Sequence, residues 1–566
     1  VDDYFLNRRD SDHGTEAPRQ NYQSPDMTRY PETPHSASAD VGFQNTPTLT
    51  STWPVPNSSE GMQFSRPLDA MPAQSMDDIT VPEILAQSDR SRPSAPNVVF
   101  GTPPSLSSHP DPSLPPYDLL HTLVDLYFKH VNTWSPILDR KVLFDTFFGP
   151  SMPDESDLVL LHAIVATTLR FSKDPRLTPD SRRNYHSISK QKVHLYGLEH
   201  SNVRALQALM VLSLDVLGTS NGPQGWNLLA IIARSIIQLG LNVEKSVSLA
   251  LPTQPSITTP QAFVLPEPKS WVEDEERRRL CWMIFVLDRY ATVATTAFDF
   301  TFNDEEMDRQ LPCRYDLFSQ NRPVETRWLR QSDRPAINRP ENLGSFSYHC
   351  EILKILSRIH RFLRRPIDIG SLADVAQWQK DYRHLDGELN TWLYSLPDDY
   401  GKISQLCHSD PSSKISNWIM LHAAFHTSVI RLHSSAAYPT VRSHIFKPSY
   451  TAMQKCLAAV EGVRGIAQDV LSAGMADLLG PPFAFSLWVS VRLLLVHGST
   501  TDQEIDPNVG IFMSTLEQMG QYWEIARRYT QILSSILQQH QHSKSSAGVA
   551  NVASSSTVSA FAKMRR

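Results

Sequence analysis

The sequence predicts an all-α fold: a multi-helix domain with antiparallel helix packing, flanked by disordered N-terminal and C-terminal segments. Three observations predict it. From Tyr117 onward, apolar residues return every three or four positions, the spacing of one helix face. No stretch alternates strand and helix patterns, and no repeat of fixed period occurs. Finally, 18 of the 41 prolines crowd into residues 1–116 of a 566-residue chain, where long apolar runs are few. Such a segment cannot bury enough apolar surface to offset the entropy of ordering its backbone. The expected organisation is a Pro/Ser-rich linker at 1–116, a helical domain at 117–540 and a Ser/Ala-rich disordered tail at 541–566.

The helices can be taken in order. Leu119, Leu120, Leu123, Val124, Tyr127, Phe128 and Val131 share one face, and Trp134-Ser135-Pro136 ends that helix, because the residue before proline is pushed out of the α region. Further helices are expected at 157–171, 184–200 and 203–217. Gly218 to Gly225 reads as a turn-rich loop. The next helix, 226–241, stops at Leu239-Gly240-Leu241-Asn242, a glycine end signal. Residues 246–268, with five prolines, read as an inserted loop, and 298–340 as irregular. Later helices fit 346–363, 372–396, 415–432, 450–473, 483–497 and 509–539.

Composition excludes several classes. The net charge is −6 with no large basic block, which argues against this chain gripping a phosphate backbone. The five cysteines, Cys281, Cys313, Cys350, Cys407 and Cys456, are all more than 30 residues apart. They form no C-x-x-C pair and suit a reducing compartment. The charged start, Val1 to Asp10, is no signal peptide. The longest unbroken apolar run, Leu280 to Leu287, is too short to span a bilayer, so no membrane partner is expected. The chain opens on Val rather than Met, and a preceding segment is expected. Within the linker, Val1-Asp2-Asp3-Tyr4-Phe5-Leu6 and Met76 through Leu85 mix acids with bulky apolar residues, a candidate activation segment; chance clusters in a polar tail are the plainer reading.

The strongest helix is expected at Trp271–Thr292. Glu273–Arg277, Asp274–Arg278 and Glu275–Arg279 are i, i+4 pairs with the acid first, the better orientation. The run Leu280–Leu287 is apolar on every face and therefore buried all round. Asp288-Arg289 places two charges at the end of that buried segment, where they need partners, so this pair is expected to lock neighbouring helices.

Glu275, Arg277, Arg278, Arg279, Trp282, Phe285, Leu287, Asp288 and Arg289 resemble the middle-homology signature of fungal zinc-binuclear-cluster (Zn2Cys6) transcription factors. Three other stretches agree in order across 117–313. Tyr127-Phe128 with Trp134-Ser135-Pro136-Ile137-Leu138 looks like the family's opening helix and turn. Leu206-Gln207-Ala208-Leu209 with Leu212-Ser213 resembles its second helix. Trp226, Ala233-Arg234 and Leu239-Gly240-Leu241-Asn242 resemble its third. Leu311-Pro312 also matches, whereas Thr295-Thr296-Ala297-Phe298 stands where the family often has Gly-Arg-Pro. The resemblance implies a fungal-specific transcription factor domain in a nuclear regulator. It implies coregulator partners, a small-molecule effector, and homodimerisation in the full-length form. It implies DNA binding and zinc only through an N-terminal module outside this sequence; this chain itself would hold no cofactor and no metal and would not be an enzyme.

Other patterns carry less. Gly218-Thr219-Ser220-Asn221-Gly222 matches G-x-S-x-G, but a nucleophile elbow needs a strand before the serine and residues 203–217 favour a helix. Asp304-Glu305-Glu306 with Asp308 reads as a solvated acidic loop rather than metal ligands. Twenty histidines give no zinc spacing, and His121, His130 and His162 read as surface or satisfied interior residues. Arg277–Arg279 reads as a salt-bridge face rather than a localisation signal, and Lys563-Met564-Arg565-Arg566 is too short to assign. Two other readings stay open: a helical scaffold or adaptor with no DNA binding, and a helical hydrolase using Ser220.

Overall fold

A computed structural model describes residues 111–244, 265–295, 298–329, 339–397 and 414–547. The described residues all lie within a compact unit running from Phe100 to Arg566. Among them there is no sheet, only three isolated bridges, Val243 with Asp308, Gln310 with Trp328 and Cys313 with Leu343. The expected all-α class is what the structure shows. The candidate activation segment, Cys407, most of the 246–268 loop and the terminal Lys563–Arg566 lie outside the described residues.

The front half holds α1 (Tyr117–His130), α2 (Arg140–Phe148), α3 (Glu155–Thr168), α4 (Pro179–Glu199), α5 (Val203–Thr219) and α6 (Pro223–Gln238). The sequence starts most of them with a side chain that accepts an orphan backbone N–H: Asp139, Asp154, Thr178 and Asn202 each cap the helix that follows. α3 packs against α1, α4 and α5, and α5 against α6. Helix α6 ends in a left-handed residue, Gly240 (φ 65°). Gly240 N–H donates to Ile237 and Leu241 N–H to Ile236, so the last carbonyls are satisfied as the sequence signal implied.

The back half holds α8 (Tyr315–Ser319), α9 (Ser345–Arg364), α10 (Leu372–Ser395), α11 (Lys414–Ala437), α12 (Tyr450–Ser472), α13 (Pro481–Thr501), α14 (Val509–Met519) and α15 (Glu524–Ala547). α11 packs against α9, α12 and α13. Between the halves runs α7 (Trp271–Val293), capped by Ser270 and packed on α5, α6, α8 and α9. Every residue of α7 from Glu275 to Val293 is buried. The expectation from its all-round apolar run therefore holds, and the charged residues at both ends of that run are buried with it.

Several expectations need correction. Residues 111–116 were assigned to the disordered linker, yet Asp111 accepts a 3.1 Å hydrogen bond from His162 and pairs with Lys192, and Leu114 is in the core. Residues 541–547, assigned to the tail, continue α15. Helix α2 was missed because its pattern is short; it is held by aromatic packing on α1, with Tyr117 against Phe148 at 5.3 Å and His121 against Phe144 at 5.0 Å. The loop at 218–225 shrinks to Ser220–Gly222, and 298–340 is interrupted by a 3-10 turn at Asp304–Glu306 and by α8. One helix expected at 509–539 is two, α14 and α15. The chain turns at 520–523 so that Trp523 enters the core, donates to Leu479 O at 2.8 Å and meets Trp134 edge-on. Finally, α13 is long and apolar enough to cross a membrane, although Ser486, Ser490 and Arg492 break its apolar run. Of its most apolar stretch, 72% is buried inside the helical body, as a core helix would be.

Gly218 belongs to this packing. A Cβ there would stand 2.3 Å from the Trp523 ring. Gly218→Ala is therefore expected to overpack the core and cost about 1–3 kcal/mol, read as a lowered denaturant midpoint at unchanged slope.

Candidate functional site: a buried ion network around α7 and an adjoining cleft

The N-terminal half of α7 carries carboxylates and guanidinium groups that the fold removes from water. Glu275 is fully buried and accepts from Arg279 Nε at 2.9 Å, from the Cys313 backbone N–H at 2.9 Å and from Arg278. Arg278 also reaches Glu244 at 2.8 Å and Asp274 at 3.3 Å. Arg277 pairs with Glu273 at 2.6 Å and donates to Pro266 O at 2.9 Å. All three expected i, i+4 pairs are thus formed. Arg309 joins them, 3.3 Å from Asp274 and 3.8 Å from Glu244.

The same groups reach backbone that has no helix to satisfy it. Arg279 donates to Pro136 O at 3.0 Å and to Cys313 O at 2.5 Å, and its guanidinium lies 4.3 Å from the centre of the Phe318 ring. Glu276 accepts from the Asp139 N–H at 3.0 Å and from Gln207 at 3.5 Å. Arg309 donates to Leu241 O, and Asn242 donates to Glu306 O at 2.7 Å. So the turn after α1, Gln207 of α5, the end of α6 and the 309–313 segment all converge on α7. Parts of each stretch that carried the resemblance are thus brought together around α7.

At the far end of α7, Asp288 accepts from the Thr301 and Phe302 N–H groups at 3.1 and 3.2 Å. Arg289 pairs with Asp288 at 2.9 Å and with Asp304, donates to Ser357 of α9 at 3.2 Å, and stacks 3.7 Å over Phe285. Arg361 of α9 reaches the same Asp304 at 2.8 Å. Asp288-Arg289 therefore does lock a neighbouring helix. Asp304 was read as part of a solvated acidic loop; it is instead the shared anion of two arginines. Trp282 fixes the middle, donating to Gln310 O at 2.7 Å and standing edge-on to Phe285.

Burial and charge pull the titrations in opposite directions. Burial would raise Glu244, but Arg278 and Arg309 outweigh it and hold its carboxyl below the usual value. Burial prevails at Glu276 and at Asp288 and raises both. Burial also pushes the Cys281 thiol up to about 12, far from a metal-binding thiolate. No group of His, Cys, Asp and Glu that could hold a metal stands among the described residues.

Two members of the sequence signature lie apart from the network. Trp226 packs on Phe298 and donates to Asn221 at 2.8 Å, while Arg234 is exposed on α6. Sequence reasoning missed Glu244 and Arg309, which lie outside any periodic helix pattern. His130 is buried against the Asp477 carbonyl at 3.0 Å, and His162 lies 3.0 Å from Ser189, so both are satisfied interior residues. The serine motif has no elbow: α5, a helix, precedes Ser220, and Gly218 is explained by Trp523.

A cleft of about 530 Å³ lies beside the C-terminal end of α9. It is bounded by the end of α9, by α10, α11 and α13 and by the α11–α12 connection; His360, Trp378, Arg431, Tyr438, Phe446 and Arg492 are among its walls.

Residues 124–394 match the fungal specific transcription factor domain. An uncharacterized transcriptional regulatory protein of Schizosaccharomyces pombe is 26% identical over 349 residues, 58% of this chain and 34% of that protein. The notoamide biosynthesis cluster transcriptional coactivator of Aspergillus versicolor is 27% identical over 207 residues, 36% of this chain and 38% of that protein. A Zn(2)-C6 fungal-type transcription factor of Fusarium oxysporum f. sp. lycopersici is 20% identical over 436 residues, 73% and 44% respectively. The chain thus spans between a third and a half of the length of these relatives, which are regulators of transcription by name. The fungal specific transcription factor domain extends well past residue 313, where the sequence signature ends.

Two outcomes test the network. Glu275→Gln and Arg279→Lys each leave a buried charge short of partners and are expected to cost on the order of 3–5 kcal/mol, whereas Arg234→Ala, exposed, stays within about 0.5 kcal/mol; urea denaturation reads all three. The second outcome concerns pH. Burial lowers His349 to about 3 and His360 to about 4, against 6.5 for an ordinary histidine, and each is 1% exposed. Below pH 6.5 the unfolded chain binds protons that the folded state refuses. Their contribution is intact above pH 6.5 and is lost as pH falls towards 4, at about 1.4 kcal/mol per unit for each. His349→Phe is expected to flatten the stability–pH profile between pH 6.5 and 4.

Proposed function

We propose that this chain is the regulatory region of a nuclear fungal transcription factor for RNA polymerase II genes. It acts through coregulator contacts and a small-molecule effector, and not as an enzyme. The observation that carries this reading is the ion network: the residues that carry the resemblance, within the stretch 124–394 that matches the fungal specific transcription factor domain, serve here to hold a helical body together. None of those residues is arranged as a catalytic group. DNA contact and dimerisation are assigned to a zinc-cluster module outside this sequence, since five cysteines so widely spaced cannot form a six-thiolate site. The coactivator from Aspergillus versicolor supports a role through protein contacts. The scaffold reading differs in lacking any effect on transcription.

Tethering separates the readings. Fused to a heterologous DNA-binding domain, residues 1–566 are expected to change reporter output in a fungal nucleus at least several-fold. A folded, nuclear fusion with no effect would establish the scaffold reading instead. The purified chain alone is expected to show no sequence-selective DNA binding at physiological salt, measured by fluorescence anisotropy.

A further inference from the structure

The cleft beside α9 has an unusual balance of charge. Among the described residues its walls include four arginines, Arg364, Arg365, Arg431 and Arg492, and no aspartate or glutamate, in a chain whose net charge is −6. Two of the four are engaged elsewhere: Arg364 donates to Phe298 O at 2.6 Å, and Arg365 pairs with Asp381 at 3.0 Å. Arg431 and Arg492 have no carboxylate partner among the described residues, and Arg431 Nε is buried without a hydrogen-bond partner. Around α7, by contrast, each buried arginine meets a carboxylate. Both residues are half-buried, and charge drawn away from water without a counter-ion is costly, so two such groups facing one cavity call for an anion. Burial already draws the Arg431 guanidinium down to about 10, with the Arg492 charge adding to it.

The rest of the wall says what else the ligand must be. Phe446 stands edge-on to Trp378 at 5.1 Å, and Val489, Leu493 and Val496 of α13 supply apolar surface. A hydrated inorganic anion gains nothing from such walls. The volume falls within the range of small-molecule sites, about 300–1,000 Å³, and a guanidinium matches a carboxylate by paired N–H donors. A second cleft, of about 440 Å³ beside α12, lacks this character: its Arg464 is already paired with Glu461.

We propose that the cleft between α9, α10, α11 and α13 binds an organic carboxylate with an apolar or aromatic body, held by Arg431 and Arg492. This names the effector class within the regulatory reading and rests on that reading for its biological meaning. Its placement suits that role. Helix α9 carries His360 into the cleft wall and, within one turn, Ser357 and Arg361 into the contacts with Arg289 and Asp304.

The test uses the purified full chain and naphthalene-2-carboxylate as probe, with naphthalene-2-carboxamide as its neutral counterpart, followed by calorimetry. Saturable 1:1 binding of the acid, at least ten-fold tighter than the amide, is expected. Arg431→Met and Arg492→Met are each expected to weaken the acid at least ten-fold and to leave the amide unchanged. Each variant, freed of an uncompensated charge, is expected to melt at or above the parent temperature without ligand. Equal binding of acid and amide, undiminished acid binding by both variants, or no saturable binding of the acid up to millimolar concentration would overturn the proposal. A marked fall in the ligand-free melting temperature of both variants would do so too, because it would give the arginines a structural role. None of these readouts involves transcription. Binding by a chain that is silent when tethered would sink the regulatory reading and leave the site standing.

Discussion

Glu275 and Arg279, one helical turn apart and both removed from water, satisfy each other's charge and leave donors and acceptors over. Those spare valences are spent on backbone: Arg279 on the carbonyls of Pro136 and Cys313, and Glu275 on the Cys313 N–H. The pair thus fixes the turn after α1 and the segment before α8 relative to α7. A hydrophobic pair of equal volume would fill the space but offer nothing to those peptide groups, which would then stand buried and unpaired. The geometry of the front half depends on this constraint more than on any single apolar contact.

The network also explains why α7 can pass through the middle of the molecule. A helix with charges at both ends of an apolar run would ordinarily present those ends to solvent. Here Glu244, Arg309 and Asp304, none of them on the helix, complete the charge balance from connecting segments. The loops are therefore part of the core's electrostatics, and Asp304 ties α7 and α9 through a shared anion. The unmatched arginines of the neighbouring cleft stand out against this background, because nearby buried guanidinium groups of the network are matched.

Much of this was legible beforehand where the signal is local. Helical periodicity, side-chain caps such as Asn202 and Ser270, and the glycine stop at Gly240 are decided within a few residues, and the structure follows them. The i, i+4 pairs on α7 were legible for the same reason. Arg234 shows the limit: it matches the family pattern yet is exposed and takes no part in the network.

The sequence by itself determined the helical class, the buried character of α7 and the identity of its charge pairs, because each depends on spacing along one helix. Only the tertiary structure decided which distant groups complete those pairs. Glu244, Cys313 and Arg309 lie 31, 38 and 34 residues from Glu275, and no periodicity links them. Likewise, the break before α15 follows from the pull of Trp523 into the core beside Trp134, a contact nearly 400 residues long that outweighs local helix propensity. The cleft, and its two arginines that meet no carboxylate among the described residues, arise from four separate helices. Neither Arg431 nor Arg492 is distinguishable in sequence from a surface arginine, since what sets it apart is the absence of a carboxylate across a gap that only folding creates.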